Sequence, residues 1–253
     1  MNDVCPACGA AVETAGPLWT GAALEATDDL TLPFAGLAAF LLLAALFAWR
    51  TPRAGSPGDE HLSIRLNPAV VLMGLVLFFY VGAEFGLGAW VSSYTEQAAE
   101  ASVMAGAVVS SGYWGALAIG RVLTGRLLAS HSPVLLLGVS IGVAGASVLV
   151  LVAVGDVLAL AFVTAFVTGL AFGPIWPLSM AIGTREAGGS TAAALVTAGN
   201  SGAVVFPAMQ GAILAGAGPR EGVAVTPTLC LLMLAVLLLH SRAPASPPDT
   251  IEA

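Results

Sequence analysis

The sequence predicts an all-α fold, a polytopic membrane helix bundle of about seven transmembrane helices. Composition is the first of three observations behind that expectation. The chain of 253 residues is 58% hydrophobic and 9% charged, with a mean hydropathy of +0.93, whereas a soluble domain carries about 25% charged residues. Second, apolar runs long enough to cross a hydrocarbon layer of about 30 Å recur along the chain. Third, the basic residues fall on alternate loops between those runs, as they do in membrane proteins with a fixed orientation.

Residues 1–31 hold five acidic side chains (Asp3, Glu13, Glu25, Asp28, Asp29) and no Lys or Arg. A secretory leader needs a basic segment followed by an apolar one, and neither is present in that order. These residues are expected to form an extracytoplasmic N-terminal segment. The first span is Leu32–Trp49, closed by Arg50 and an interfacial Trp. Residues 50–66, RTPRAGSPGDEHLSIRL, are rich in Pro, Gly and charge. They read as a cytoplasmic linker and a boundary between two structural units.

A six-helix bundle is expected over residues 67–240. It opens with Asn67–Tyr94, followed by a short loop with Glu96 and Glu100. Ser102–Gly120 comes next and runs into GRVLTGRLLASHS. Pro133–Val154 ends at Gly155-Asp156, and Val157–Gly183 is interrupted by Gly173-Pro174 and Pro177. Ser190–Ala217 is broken at Pro207, because proline removes a helical hydrogen bond and clashes with the preceding turn. Val223–Leu239 is the last span, and residues 241–253 form a Pro-rich, disordered cytoplasmic tail.

With residues 1–31 outside, Arg50, Arg53, Arg65, Arg121, Arg126, Arg185 and Arg242 fall inside and Arg220 alone falls outside. The positive-inside rule then predicts an outside N-terminus and a cytoplasmic C-terminus in the cell (inner) membrane. Many of the 30 glycines lie within the spans, among them Gly138, Gly142, Gly145, Gly199, Gly202 and Gly211. In lipid, small residues let helix backbones approach closely, so the spans are expected to form one bundle rather than isolated anchors.

Several function classes are excluded. The net charge of −7 lies mostly in tails and loops and argues against a nucleic-acid partner. The chain has no Lys, so no retinal Schiff base can form. Gly199-Asn-Ser-Gly202 is similar to the nucleophile motif of rhomboid proteases, but Ser201 would need a His within hydrogen-bond reach. His240 lies at the cytoplasmic end of the last span, about 10 Å from Ser201 in depth. No catalytic residue is therefore assigned. Cys5-Pro-Ala-Cys8 is a single C-x-x-C pair without a second pair or nearby His, and neither a metal site nor a cofactor is assigned.

The residue that demands an explanation is Glu84, a carboxylate in the middle of an apolar span. A charge at that depth costs at least about 2.5–3.5 kcal/mol, and such groups face a bundle interior or a watery cavity. Tyr80 lies four residues earlier and shares its helix face. Glu84 either holds the bundle together by hydrogen bonding or lines a cavity, where it binds solute hydroxyls or takes up a proton. Trp176, between Pro174 and Pro177, either stacks on a sugar ring or fills core space. Asn200 and Gln210 carry buried amides whose partners are another helix or a ligand.

The strings FYVGAEFGLGAW (79–90), YWGALAIGRVLTGR (113–126) and GPIWP (173–177) resemble the seventh, eighth and tenth helices of major facilitator superfamily transporters. Within that superfamily they are most similar to the fucose permease and sodium-dependent glucose transporter-like branch. The resemblance covers about residues 32–242. It implies that Leu32–Trp49 is the sixth helix, that residues 50–66 are the central linker, and that the C-terminal six-helix half follows as two inverted triplets. It also implies a conformational loop built on Gly120, Arg121, Gly125 and Arg126. The function it implies is secondary active transport of a sugar or similar small polar solute by alternating access, with proton or sodium coupling. Tyr80, Glu84, Trp176, Asn200 and Gln210 would bind that solute. Partners would be the solute, membrane lipid and a missing N-terminal half that completes the cavity. The alternative is a non-transporting seven-helix scaffold or receptor-like protein.

Overall fold

The computed structural model describes residues 6–27, 29, 31–50, 68–154, 156–187 and 191–242. The expected linker beyond Arg50, the tail beyond Arg242, Cys5 and the side chain of Cys8 lie outside the described residues. Within them the chain is helical and shows no strand. The helices are α1 (Pro6–Thr27), α2 (Thr31–Arg50), α3 (Pro68–Ala98), α4 (Val103–Leu127) and α5 (Pro133–Val154), then α6 (Leu158–Phe172), α7 (Ile175–Ala187), α8 (Ala192–Ala217), α9 (Pro219–Val223) and α10 (Val225–Arg242). Six spans among the described residues are long and apolar enough to cross a membrane: α3, α4, α5, α6 with α7, α8, and α9 with α10. The protein is a multi-pass membrane protein. α2 covers the position of the first expected span, and α1 adds a helix that the sequence pattern did not announce.

Local signals account for the ends and breaks. Ser102 caps α4, its hydroxyl accepting from the Ala105 amide at 3.2 Å, which satisfies one of the orphan donors of a first turn. Gly173-Pro174 separates α6 from α7. Pro174 cannot donate to the Leu170 carbonyl, nor Pro177 to that of Gly173, so two helical hydrogen bonds are missing at one level of the bundle. At the end of α8, Gly218 adopts φ +128°, a conformation that favours glycine, and turns the chain into α9.

α3 is the central helix, packing on α4, α6, α7, α8, α9 and α10. Its most extensive partner is α8, and the pairing is parallel: Phe78 lies against Gly202, Gly82 against Phe206, and Gly86 against Gln210. The second large parallel seam joins α4 to α6, with Tyr113 against Gly169 and Leu117 against Gly173. A Cβ on Gly202 would collide with the Phe78 carbonyl, and one on Gly120 with the Leu170 carbonyl. These are the close backbone approaches on which helix association in lipid depends. Side chain to carbonyl bonds then tie the helices together. Trp90 donates to Pro207 at 2.8 Å, Tyr94 to Leu151 at 2.7 Å, and Ser147 to Thr164 at 2.9 Å.

The core is built from Met73, Leu77, Tyr80, Leu87, Tyr94, Tyr113, Leu117, Leu137, Ile141, Leu151 and Phe172. Val122, Val139, Leu149, Val163, Val204, Leu231 and Leu238 are exposed around it, an apolar outer surface suited to lipid. α1 lies along α4, where Gly21 meets Ala107 and Gly115 meets Thr14.

Candidate functional site

The site grows from two helix faces. On α3, Tyr80 and Glu84 stand one above the other, four residues apart; on α4, Tyr113, Leu117 and Arg121 do the same over two turns. Where these faces meet, the Arg121 Nη2 donates to Glu84 Oε1 at 2.7 Å, forming an ion pair. The pair is lopsided: the Glu84 side chain is 2% exposed and that of Arg121 39%. Arg121 lies six residues before the end of α4, about 9 Å at 1.5 Å per residue, and reaches from the end of the span toward a carboxylate near the middle of α3.

The surroundings of the pair are aromatic and buried. The Tyr113 hydroxyl donates to the Glu84 carbonyl at 2.9 Å. Phe172, the last residue of α6, meets Tyr80 edge-on at 5.7 Å between centroids and Tyr113 at 6.5 Å. The Tyr80 hydroxyl is fully buried and lies within reach of both Glu84 and Arg121. Directly after Phe172, Gly173 at the α6–α7 break packs against the Leu117 carbonyl and the Arg121 amide. The discontinuity in α6–α7 thus touches the backbone that carries the ion pair.

The remaining predicted residues occupy other places. Gly120 is pinned beneath α6, while Gly125 has open space around it. Arg126 is exposed in the last turn of α4, where a cation complements the helix dipole. Trp176 is half-buried in the first turn of α7 and lies on Gly199, 3.1 Å from where a Cβ would stand. Asn200, one residue on, is exposed. Gln210 is fully buried and its Nε2 lies 3.3 Å from the Thr226 hydroxyl of α10, with the amide flat on Gly86. Its hydrogen bond therefore goes to α10 rather than to the ion pair. Ser201 donates to the Thr197 carbonyl at 2.9 Å.

The structure brings Tyr80, Glu84 and Arg121 together and leaves Asn200 and Gln210 apart from them. It adds Tyr113, which the motif strings contain, and Phe172, which directly precedes one of them; the residue-by-residue reading left both unassigned. Tyr113 lies eight residues before Arg121, two helical turns on the same face, and that spacing was the available signal. Chemically, the arrangement is a neutral ion pair with a sealed carboxylate and an accessible guanidinium, able to hold a proton on one partner and an acceptor on the other.

No protein-family model matches the chain. Among solved structures, a crystal structure of the E. coli fucose:proton symporter FucP superposes with a TM-score of 0.62 at 18% identity, covering 83% of this chain and 55% of that one. The chain has the major facilitator fold. A second FucP structure, in the outward conformation, matches with the same TM-score at 17% identity, covering 83% of this chain and 54% of FucP. A curated relative, "Bypass of stop codon protein 6" of Saccharomyces cerevisiae, is 24% identical over 208 residues, which is 73% of this chain and 39% of that protein. The chain thus spans about half the length of FucP and about two fifths of the yeast relative. In this major facilitator fold, the α3–α4 ion pair and the α6–α7 break lie side by side.

Proposed function

We propose that this chain is the C-terminal portion of a secondary active transporter for a sugar or a similar small polar solute, working by alternating access and coupled to a proton or sodium gradient. The observation that carries the reading is the Glu84–Arg121 pair at 2.7 Å within a major facilitator fold. Ionised side chains within membrane spans are expensive and mark solute or ion pathways. The broken α6–α7 helix beside the pair supports it, because irregular backbone at membrane depth is tolerated where it lines a cavity or lies buried in protein. Tyr80, Trp176, Asn200 and Gln210 are proposed as further solute contacts. Gly120, Arg121, Gly125 and Arg126 are proposed to steady the cytoplasmic end of α4 as the bundle rocks. In this reading the α2–α3 linker and the C-terminus lie in the cytoplasm and the membrane is the inner one, because the Arg residues collect on that side.

Uptake of labelled hexoses and hexuronates into cells expressing the chain together with an N-terminal half that completes the cavity tests the proposal. Uptake by the wild type should exceed that of empty cells, and Glu84→Gln should lower it at least about tenfold at equal membrane abundance. Unchanged uptake in the variant removes Glu84 from the mechanism.

A further inference from the structure

We propose that the Glu84–Arg121 pair is a proton-linked anion site, whose occupant is a solute bearing a carboxylate. This deepens the transporter reading above and rests on it for the solute's passage, but not for its binding. The exposure of the two partners differs about twentyfold, 39% for Arg121 against 2% for Glu84. A solute entering from the accessible side therefore meets the guanidinium first and the carboxylate only behind it. A guanidinium presents a planar fork of N–H donors matched to carboxylate geometry, and one of those donors now serves Glu84.

The exchange balances in charge. In the empty site the Glu84 carboxylate and the Arg121 cation sum to zero. When Glu84 takes a proton from water, its hold on Arg121 weakens, and the incoming carboxylate replaces it on the guanidinium. Neutral Glu84, cationic Arg121 and anionic solute again sum to zero. A neutral solute bound with the same proton would leave one uncompensated positive charge among apolar helices, which a low dielectric disfavours. Tyr80 adds a polar neighbour: its hydroxyl is buried one turn from Glu84 and within reach of both Glu84 and Arg121, and can accept from the protonated carboxyl.

No other titratable group competes for this role. α3 contributes Tyr80, and α4 contributes Tyr113 and Arg121, with Tyr113 already donating to the Glu84 carbonyl. α6 and α8 carry no ionisable side chain, and α7 carries Arg185 and Glu186 only near its far end. α9 holds Arg220 and Glu221 in the turn after α8, while α10 offers Cys230 in the core and His240 and Arg242 in its last turn.

Calorimetric titration of the purified chain with acetate, D-galacturonate and D-galactose, at pH about 5.5 and about 7.5, tests the site. Two buffers of different ionisation enthalpy count the protons. Acetate and galacturonate should bind about tenfold or more tightly at the lower pH, taking up about one proton each, and galactose should bind without proton uptake or not at all. Glu84→Gln, which mimics the protonated carboxyl, should bind galacturonate at the higher pH as tightly as the wild type does at the lower. Arg121→Gln should lose the preference for galacturonate over galactose. The wild-type proton count needs no variant. The proposal is overturned if galacturonate binds without proton uptake, if galactose brings the proton, or if neither carboxylate binds at the lower pH. Hexose uptake that depends on Glu84, together with galacturonate binding free of protons, would overturn the anion site and leave the transporter reading standing.

Discussion

Glu84 taken alone is an unfavourable residue for a membrane span; Glu84 with Arg121 is a neutral pair. A lone carboxylate at that depth demands a cation or a proton, and Arg121 is the Arg placed inside a helix of the bundle rather than at its rim. The demand was legible in the sequence. The partner was not, because the GR…GR string drew Arg121 toward the loop, while the folded chain keeps α4 helical to Leu127. Removing one partner of a buried pair leaves the other uncompensated, which costs more than removing both. Arg121→Gln should therefore lower the thermal midpoint of the detergent-purified protein by more than Glu84→Gln/Arg121→Gln does. The difference should correspond to about 1–3 kcal/mol, toward the low end because the guanidinium is partly solvated. Equal midpoints for the single and double variants would show that the pair carries no such strain.

At the scale of elements, the two parallel seams separate glycines that packing requires from glycines that it does not. Gly120 and Gly125 stand five residues apart on α4, yet the first lies under the Leu170 carbonyl and the second in open space. Gly120→Ala must push α6 outward, an overpacking cost of about 1–3 kcal/mol. Gly125→Ala adds a methyl that touches nothing and should leave stability unchanged or raise it by up to about 1 kcal/mol. Thermal unfolding of the two variants in the same detergent distinguishes them, and equal loss in both would mean that the α4–α6 contact is looser than drawn. The break between α6 and α7 was readable from Pro174 and Pro177. Its position against the Arg121 backbone followed only from the docking of α6 on α4.

At the scale of the molecule, orientation is the property most open to a direct check. With Cys5, Cys8 and Cys230 replaced by Ala, His131→Cys should react with a membrane-impermeant maleimide only after cells are opened. Arg220→Cys should react in intact cells. His131 follows α4 and Arg220 lies in α9, both exposed, so access to the reagent depends on the side of the membrane. Labelling with the opposite pattern would invert the topology drawn from the Arg residues.

The sequence by itself determined the fold class, the six spans of the bundle to within a few residues, and the places where helices break. It could do so because a bilayer leaves backbone groups no partner but their own helix, so span and break are written in local hydropathy and proline. Its one buried carboxylate also marked where chemistry should be sought. The tertiary structure alone decided which residues meet: Arg121 with the Glu84 carboxylate, Tyr113 with the Glu84 backbone carbonyl, Gln210 with Thr226, and α1 along α4. It also placed Asn200, read as a buried amide, on an exposed face of α8. In lipid, helices are held by close packing and a few directional polar contacts. Those depend on the rotation and crossing of each helix, which periodicity in a nearly uniform apolar run does not record.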